Sequence, residues 1–303
     1  SEEQKDRYLF PLLAGEEIWC QLFSEPEAGS DLANLGTRAV RDGDEWIING
    51  SKIWNSNAQH SQFGVLIART NPDQPKRQGI TYFICPMDAP GVEIRPVREM
   101  TGVALFNEVF FTDVRIPHEN VVGEVDNGWG LAKVTLGNER VSLSGGGALW
   151  GMGPDANKLL DLVRDKGGVD DAGMRQRLAQ LYIESEILRL IRLRTVTSAI
   201  KGAQPGPEAS IRKLLADEHG QKIMGVAKDL AGAAGMLDNT GPLGSPVGLW
   251  QFGYLFAPAL TIGGGTTEVQ RNILGERVLG LPAEPSPQDG ATWSESQRSE
   301  RRS

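Results

Sequence analysis

Ile80-Thr-Tyr-Phe-Ile-Cys85 is a run of β-branched and aromatic residues closed by Gly79 on one side and Pro86 on the other. Such a run reads as a strand. Upstream, Glu45-Trp-Ile-Ile-Asn49 and Gly64-Val-Leu-Ile-Ala68 repeat the pattern, and downstream Val92-Glu-Ile-Arg-Pro96 and Asn107-Glu-Val-Phe-Phe111 continue it. Gly, Pro, Asn or Asp separates them, and Arg41-Asp-Gly-Asp-Glu45 carries an Asp-Gly hairpin signal. Short strands at this spacing predict an antiparallel barrel or sandwich. From about Asn127 the period becomes helical. Leu131, Val134, Leu136 and Val141 recur near 3.6 residues, and Met174 to about Lys201 is amphipathic over its whole length. Pro207 marks a further helix start, and Thr266 or Thr267 caps a shorter helix over 266–279. The fold class is therefore α+β, a β domain followed by a C-terminal four-helix bundle. Its expected limits are a helix end over 1–16, the β domain over 17–120 and the bundle over 121–281. The stretch 282–303, rich in Pro, Ser, Gln and charge, reads as a disordered tail.

The 303 residues suffice for about two domains. A net charge of −8 without a basic face argues against a nucleic-acid binder. Two cysteines without a CxxC pair, and three histidines, leave little for a metal site and suit a reducing, cytoplasmic compartment. No apolar run is long enough to span a membrane. The chain opens at Ser1 rather than Met, which leaves targeting open.

Four stretches carry chemistry: Leu22-Phe-Ser-Glu-Pro-Glu-Ala-Gly-Ser-Asp31, Asn49-Gly-Ser-Lys-Ile-Trp-Asn-Ser-Asn57, Phe106-Asn-Glu-Val-Phe-Phe-Thr-Asp-Val-Arg-Ile-Pro117 and Thr261-Ile-Gly-Gly-Gly-Thr-Thr-Glu-Val-Gln-Arg271. Hydroxyls and backbone N–H groups in a turn such as the first suit the polar edge of a ring system or a phosphate arm. The same turn also reads as a simple hairpin loop. In the second, Trp54 and Ser56 are two residues apart, which places them on one side of a strand, where an indole and a hydroxyl flank one aromatic ligand. The alternative is a core tryptophan. In the last, Gly263-Gly-Gly265 precedes a helix start that offers N–H donors to a polar group.

In this order the stretches resemble the acyl-CoA dehydrogenases, over residues 1 to about 281. The resemblance implies an N-terminal helical domain of which only the end is present, a middle β domain and a C-terminal four-helix bundle. It implies FAD as cofactor, an acyl-CoA substrate, an electron-transfer flavoprotein as electron acceptor and a homo- or hetero-oligomer, most often a tetramer. By resemblance, Phe23 and Ser24 line the isoalloxazine, Trp54 shields it and Ser56 contacts its reactive nitrogen region. Gly265, Thr266 and Glu268 fall at positions touching the dinucleotide, and Ser30 lies near the CoA part. The family usually has Gln where this chain has Glu268, and an acidic group beside a pyrophosphate is repulsive.

Many family members carry their catalytic base where this chain has Gly264, and glycine accepts no proton. Either the base is elsewhere or the subunit does no chemistry. The pair Glu139-Arg140 matches the base position of isovaleryl and long-chain members, with Arg140 beside the substrate or orienting the base. Glu139, Ser142, Leu143 and Gly146 share a helix face. Gly145-Gly-Gly147, costly in a helix, reads either as room for a bulky acyl group or as close helix packing. Two further departures concern FAD-holding elements. Leu162-Val-Arg-Asp-Lys-Gly-Gly168 keeps Arg164 but lacks the family's Phe-Gly step, and Asp229 stands where the family has Gln. The expected function is α,β-dehydrogenation of an acyl-CoA to the trans-2-enoyl-CoA. The alternatives are a non-catalytic or half-site subunit of a hetero-oligomer, and a flavin oxidase or monooxygenase relative.

Overall fold

The computed structural model describes residues 1–143, 147–202, 206–207, 209–236, 248–285 and 290–300, excepting the side chains of 140–143, 236, 248, 299 and 300. The chain divides into two compact units, Ser1–Thr135 with Pro285–Ser303, and Leu136–Glu284.

The first unit opens with α1 (Glu2–Ala14), bounded by a Ser1–Gln4 capping box and by Gly15 in the left-handed region at φ 71°. Strands β1 (Trp19–Leu22), β2 (Arg38–Asp42), β3 (Glu45–Lys52), β4 (Phe63–Arg69), β5 (Ile80–Pro86), β6 (Val92–Val97), β7 (Phe106–Pro117) and β8 (Val121–Val122) follow. They form one sheet ordered β6-β7-β3-β2-β4-β5-β8, with β1 on β4. The Asp-Gly signal makes the β2–β3 hairpin, where Asp42 pairs with Glu45. The sheet is mixed rather than purely antiparallel, because β1 and β2 both run parallel to β4. In the β1–β4 register Trp19 faces Phe63, with ring centroids 5.0 Å apart, and Tyr8 of α1 packs edge-on against both. A parallel pair of this kind is not readable from local turn signals, since no hairpin joins its strands. The core gathers Leu22, Ile48, Leu66, Phe83, Val109 and Ile116, all buried. The sheet also extends past the expected boundary at 120, because β8 pairs with β5.

Helix α2 (Gly128–Leu143) begins in this unit. The second unit contains α3 (Ala156–Asp165), α4 (Ala172–Ile200), α5 (Ala209–Ala231), α6 (Gly248–Phe256), a 3-10 turn over Ala257–Thr261 and α7 (Thr267–Ile273). α5 is its axis. At Gly220 the chain around Ala148 and Leu260 approaches so closely that a Cβ would lie 2.2 Å from the Ala148 carbonyl. The Gln221 side chain donates to the Ala257 carbonyl at 3.1 Å and to the Thr261 hydroxyl at 3.0 Å. α4 leaves Ile187, Leu190, Leu193 and Val196 exposed along its length.

The stretch expected to be a disordered tail carries α8 (Trp293–Glu300), in the first unit. The Trp293 indole N–H donates to the Asn34 carbonyl at 3.2 Å, and its ring lies under the Arg69 guanidinium at 5.2 Å. Backbone N–H groups of Trp293 and Ser294 donate to Gln74 and Pro72 carbonyls, and the Gln297 amide reaches Asn34 Oδ1 at 2.7 Å. One aromatic anchor and a set of backbone contacts order a segment whose composition alone predicts disorder.

Candidate functional site

In the first unit, the 22–31 stretch leaves β1 and folds back at once. Glu25 and Ala28 exchange backbone hydrogen bonds at 3.1 Å. The Glu25 carboxylate turns inward and accepts from the Gly36 N–H at 2.7 Å, the Thr37 N–H at 2.9 Å and Lys52 Nζ at 2.7 Å. Lys52, fully buried, also donates to the Phe23 carbonyl at 2.9 Å. The next residue, Ile53, donates its N–H to the Ser24 carbonyl at 2.9 Å, and the Asn55 amide donates to the Gln21 carbonyl at 2.8 Å. The first two motifs are thereby fastened into one surface. Burial pushes the Glu25 carboxyl up, but Lys52, Thr37 and Gly36 outweigh it and hold the group below its usual range. Burial pushes the Lys52 ammonium down, and Glu25 only partly compensates.

Trp54 and Ser56 do not lie on a strand, because β3 ends at Lys52. Trp54 has φ 65° and Asn57 φ 57°, so the chain beyond β3 is a left-handed loop rather than an extended run. Exchanged backbone hydrogen bonds between Asn55 and Asn107 hold it. The Trp54 indole is 56% exposed and packs edge-on against Phe106 at 5.8 Å. A bulky residue in this region is strained, and such strain clusters where a side chain must be presented to a ligand. Ser56 and Ser30 are exposed and Ser24 is half-buried. Phe23 is buried and packs edge-on against Tyr82 at 5.9 Å, so the part of Phe23 that bears on the motif is its backbone, held by Lys52.

In the second unit, Thr266 caps α7 by accepting from the Val269 N–H at 3.2 Å. The preceding Gly264 and Gly265 have φ 66° and 91°, both left-handed. Three groups hold the loop. Gln270, fully buried, donates its amide to the Gly264 and Gly265 carbonyls at 3.1 and 3.3 Å. Lys213 of α5 donates to the Gly265 carbonyl at 2.9 Å. Trp150 lies against Gly263 so closely that a Cβ there would sit 2.6 Å from its ring. Gln270 Oε1, Thr267 Oγ1 and Trp150 Nε1 are buried with no hydrogen-bond partner among the described residues. Buried polar atoms carry a cost of about 1–3 kcal/mol each when unpaired, so three around one loop fit a polar ligand. Glu268 is exposed in the first turn of α7, where its charge complements the helix dipole. Glu139 is half-buried on α2. The side chains of Arg140, Ser142 and Leu143 and all of Gly145 and Gly146 lie outside the described residues.

Among the described residues no group of His, Cys, Asp and Glu is arranged to hold a metal ion. No described helix is long and apolar enough to cross a membrane. Cys20 and Cys85 are free and buried, and burial pushes their thiols up to about 11 and about 12, which keeps them unreactive.

The acyl-CoA dehydrogenase middle domain matches residues 20–114, and the acyl-CoA dehydrogenase C-terminal domain matches residues 126–279. The chain belongs to the acyl-CoA dehydrogenase family. It is 41% identical to the acyl-CoA dehydrogenase FadE34 of Mycobacterium tuberculosis over 92% of its length, and spans 37% of that protein. It is 40% identical to the acyl-CoA dehydrogenase IpdE1 of the same organism over 93% of its length, and spans 71% of it. Among solved structures, the Tcur3481-Tcur3483 steroid ACAD aligns at TM-score 0.85 and 32% identity, covering 94% of this chain and 73% of that one. The ChsE4-ChsE5 complex from M. tuberculosis aligns at 0.81 and 34%, covering 94% and 74%.

In the two stretches that depart from the family pattern, the replacing Asp229 and the retained Arg164 both form ion pairs. Asp229 pairs with Arg177 at 3.2 Å, and Arg164 pairs with Asp161 one turn away at 2.6 Å. Both pairs are largely exposed and contribute little to stability. The sequence reading did not find Glu25, Lys52, Lys213, Gln270 or Trp150. For Lys52 a signal exists, since a lysine inside an otherwise half-buried strand needs a partner; the others depend on long-range contacts.

Proposed function

We propose that this chain, through its middle and C-terminal domains, acts as an FAD-dependent acyl-CoA dehydrogenase that forms a trans-2-enoyl-CoA, with Glu139 as the base. The observation that carries the reading is Glu139, a half-buried residue on α2, in a chain whose alternative base position is Gly264. A carboxylate at that position takes the α-proton of the thioester, provided it lies within hydrogen-bond reach of it. When bound, FAD supplies the acceptor for the β-hydride. Trp54 offers an exposed aromatic face, Ser24 and Ser56 offer hydroxyls, and Gly265 with Thr266 supplies backbone and hydroxyl groups at the start of α7. The unpartnered Gln270, Thr267 and Trp150 atoms around that loop support a polar occupant. Ser30 and Arg140 are assigned to the CoA ester. The electrons then pass to an electron-transfer flavoprotein.

The relatives described as a steroid ACAD and as a two-component complex favour a bulky, sterol-derived acyl group and a hetero-oligomer. The exposed apolar residues of α4 supply surface for such an assembly. A second reading, in which this chain supplies only half of a flavin site, is favoured by the engagement of Asp229 with Arg177 in place of a dinucleotide contact. The test is anaerobic titration of the FAD-loaded protein with sterol-derived and straight-chain acyl-CoAs, alone and with a candidate partner subunit. Flavin bleaching is expected in the wild type. Glu139→Gln is expected to hold FAD and lose the bleaching. Bleaching retained in that variant removes Glu139 as the base. Bleaching that needs the partner supports the half-site reading.

A further inference from the structure

We propose that Lys213 is a positioning residue: its ammonium clips together the two ends of the Gly-rich loop and fixes the direction in which that loop meets the flavin. The inference rests on the loop being part of the cofactor site. Lys213 is 1% exposed on α5, and an ammonium is buried only where its charge and its three donors are all answered. One donor goes to the Asp217 carboxylate, one helical turn along the same face. The other two leave the helix and reach the Leu260 carbonyl at 3.1 Å and the Gly265 carbonyl at 2.9 Å. These carbonyls bracket Thr261–Gly264, so one cation pins both ends of the segment. A pair serving only to stabilise α5 has no need of either carbonyl.

The loop needs such a clip. Gly264 and Gly265, at φ 66° and 91°, have no side chains to prefer one conformation over another. Their geometry is imposed from outside, by Lys213 below and by the Gln270 amide from α7. Thr266, the cap of α7 and a proposed cofactor contact, follows directly, so rotation about Gly265 swings its hydroxyl and the first N–H groups of the helix.

Lys213→Met alone leaves Asp217 buried without its counter-charge and risks the fold. The decisive variant is therefore the double change Lys213→Met with Asp217→Asn, which leaves no unpaired charge. Lys213→Gln, which keeps a donor for one carbonyl, is the second. Two readouts are taken on the full chain: amide hydrogen exchange over 261–270, with β3 as internal reference, and FAD affinity by absorbance titration. In the double variant, loop exchange is expected to rise at least tenfold with β3 unchanged, and FAD affinity to fall at least tenfold. Lys213→Gln is expected to fall between it and the wild type. Loop exchange within twofold of wild type in both variants overturns the clip. Faster loop exchange with unchanged FAD affinity overturns the positioning role. A wild-type chain that holds no FAD, alone or with a partner subunit, overturns the function proposed above and leaves the exchange result to judge the clip separately.

Discussion

Lys52→Met is the perturbation that most directly tests how the first unit shapes its motif surface. Lys52 Nζ lies 2.7 Å from Glu25 Oε1, with side-chain exposures of 0% and 11%. At that distance the gross attraction is about 6 kcal/mol for an effective dielectric of about 20. Desolvation of the ammonium cancels part of it, and Glu25 keeps the Gly36 and Thr37 N–H donors when Lys52 is removed. The expected loss is about 3–4 kcal/mol, in the usual range for breaking a buried pair. Adding Glu25→Gln removes the stranded charge and is expected to restore about 2 kcal/mol, a coupling that a double-mutant cycle measures directly. Because the chain holds two units, unfolding is followed by hydrogen exchange at the Ile47 and Ile48 amides of β3 as urea is raised, rather than by a whole-molecule signal. The pH dependence follows from the lowered carboxyl of Glu25. A carboxyl whose folded pKa is depressed contributes stability above its unfolded pKa, near 4.5, and that stability is lost as pH falls through the folded value. The gap between wild type and Lys52→Met should be widest near neutral pH and should narrow as the pH falls below the ordinary Glu value and through the lowered folded one. A cost under about 1 kcal/mol at pH 7, or a double variant no better than the single one, refutes the argument.

Burial pushes the Asp217 carboxyl up to about 6 from 3.8, with Lys213 only partly opposing it. A raised carboxyl favours folding below its unfolded pKa and loses that contribution as pH rises through the folded value. Asp217→Asn is therefore expected to flatten the fall in melting temperature between pH 4 and pH 7, and an unchanged slope counts against it. Trp293→Ala removes the indole contact with Arg69 and the bond to Asn34, and is expected to cost the first unit about 2 kcal/mol. Faster amide exchange at Leu35–Thr37 is the accompanying sign, and wild-type exchange there means that α8 is not a structural anchor. Gly265→Ala combines φ 91° with a Cβ placed 2.6 Å from the Gln270 amide nitrogen. A loss of about 2 kcal/mol is expected, read as a lower melting temperature of the second unit. Wild-type melting in that variant means that the loop adapts freely.

What the sequence made legible was local. The Asp-Gly pair at 42–43 places the β2–β3 hairpin, the 3.6-residue recurrence of Leu178, Leu181 and Leu188 places α4, and Thr266 sits where a helix cap was expected. Each of these signals acts over a few residues. What was not legible depends on partners far along the chain. Glu25 and Lys52 are 27 residues apart, and nothing in either motif alone states that one neutralises the other. The two-residue spacing of Trp54 and Ser56 suggests one side of a strand, but β3 ends at Lys52. The left-handed backbone of Trp54 is instead imposed by the Asn55–Asn107 pairing from β7. The tail failed for the opposite reason, since composition averages over residues and a single tryptophan with a prepared seat outweighs its polar neighbours. Within the first unit, the 22–31 and 49–57 stretches meet through contacts that neither announces, and the loop supports from α5 in the second unit came only with the helix packing.

The left-handed pair at Gly264 and Gly265 bears on how this chain can change over time. A carboxylate introduced at 264 does not simply supply a base, because a side chain at φ 66° costs roughly 1 kcal/mol before it touches anything. Lys213 and Gln270 hold the carbonyls of this loop, and Trp150 lies against Gly263, so the loop is held in a shape that side chains at 263 or 265 would disturb. With the proton-abstracting role proposed for Glu139 on α2, the loop need carry no base, and each residue fitted to its shape makes one harder to introduce.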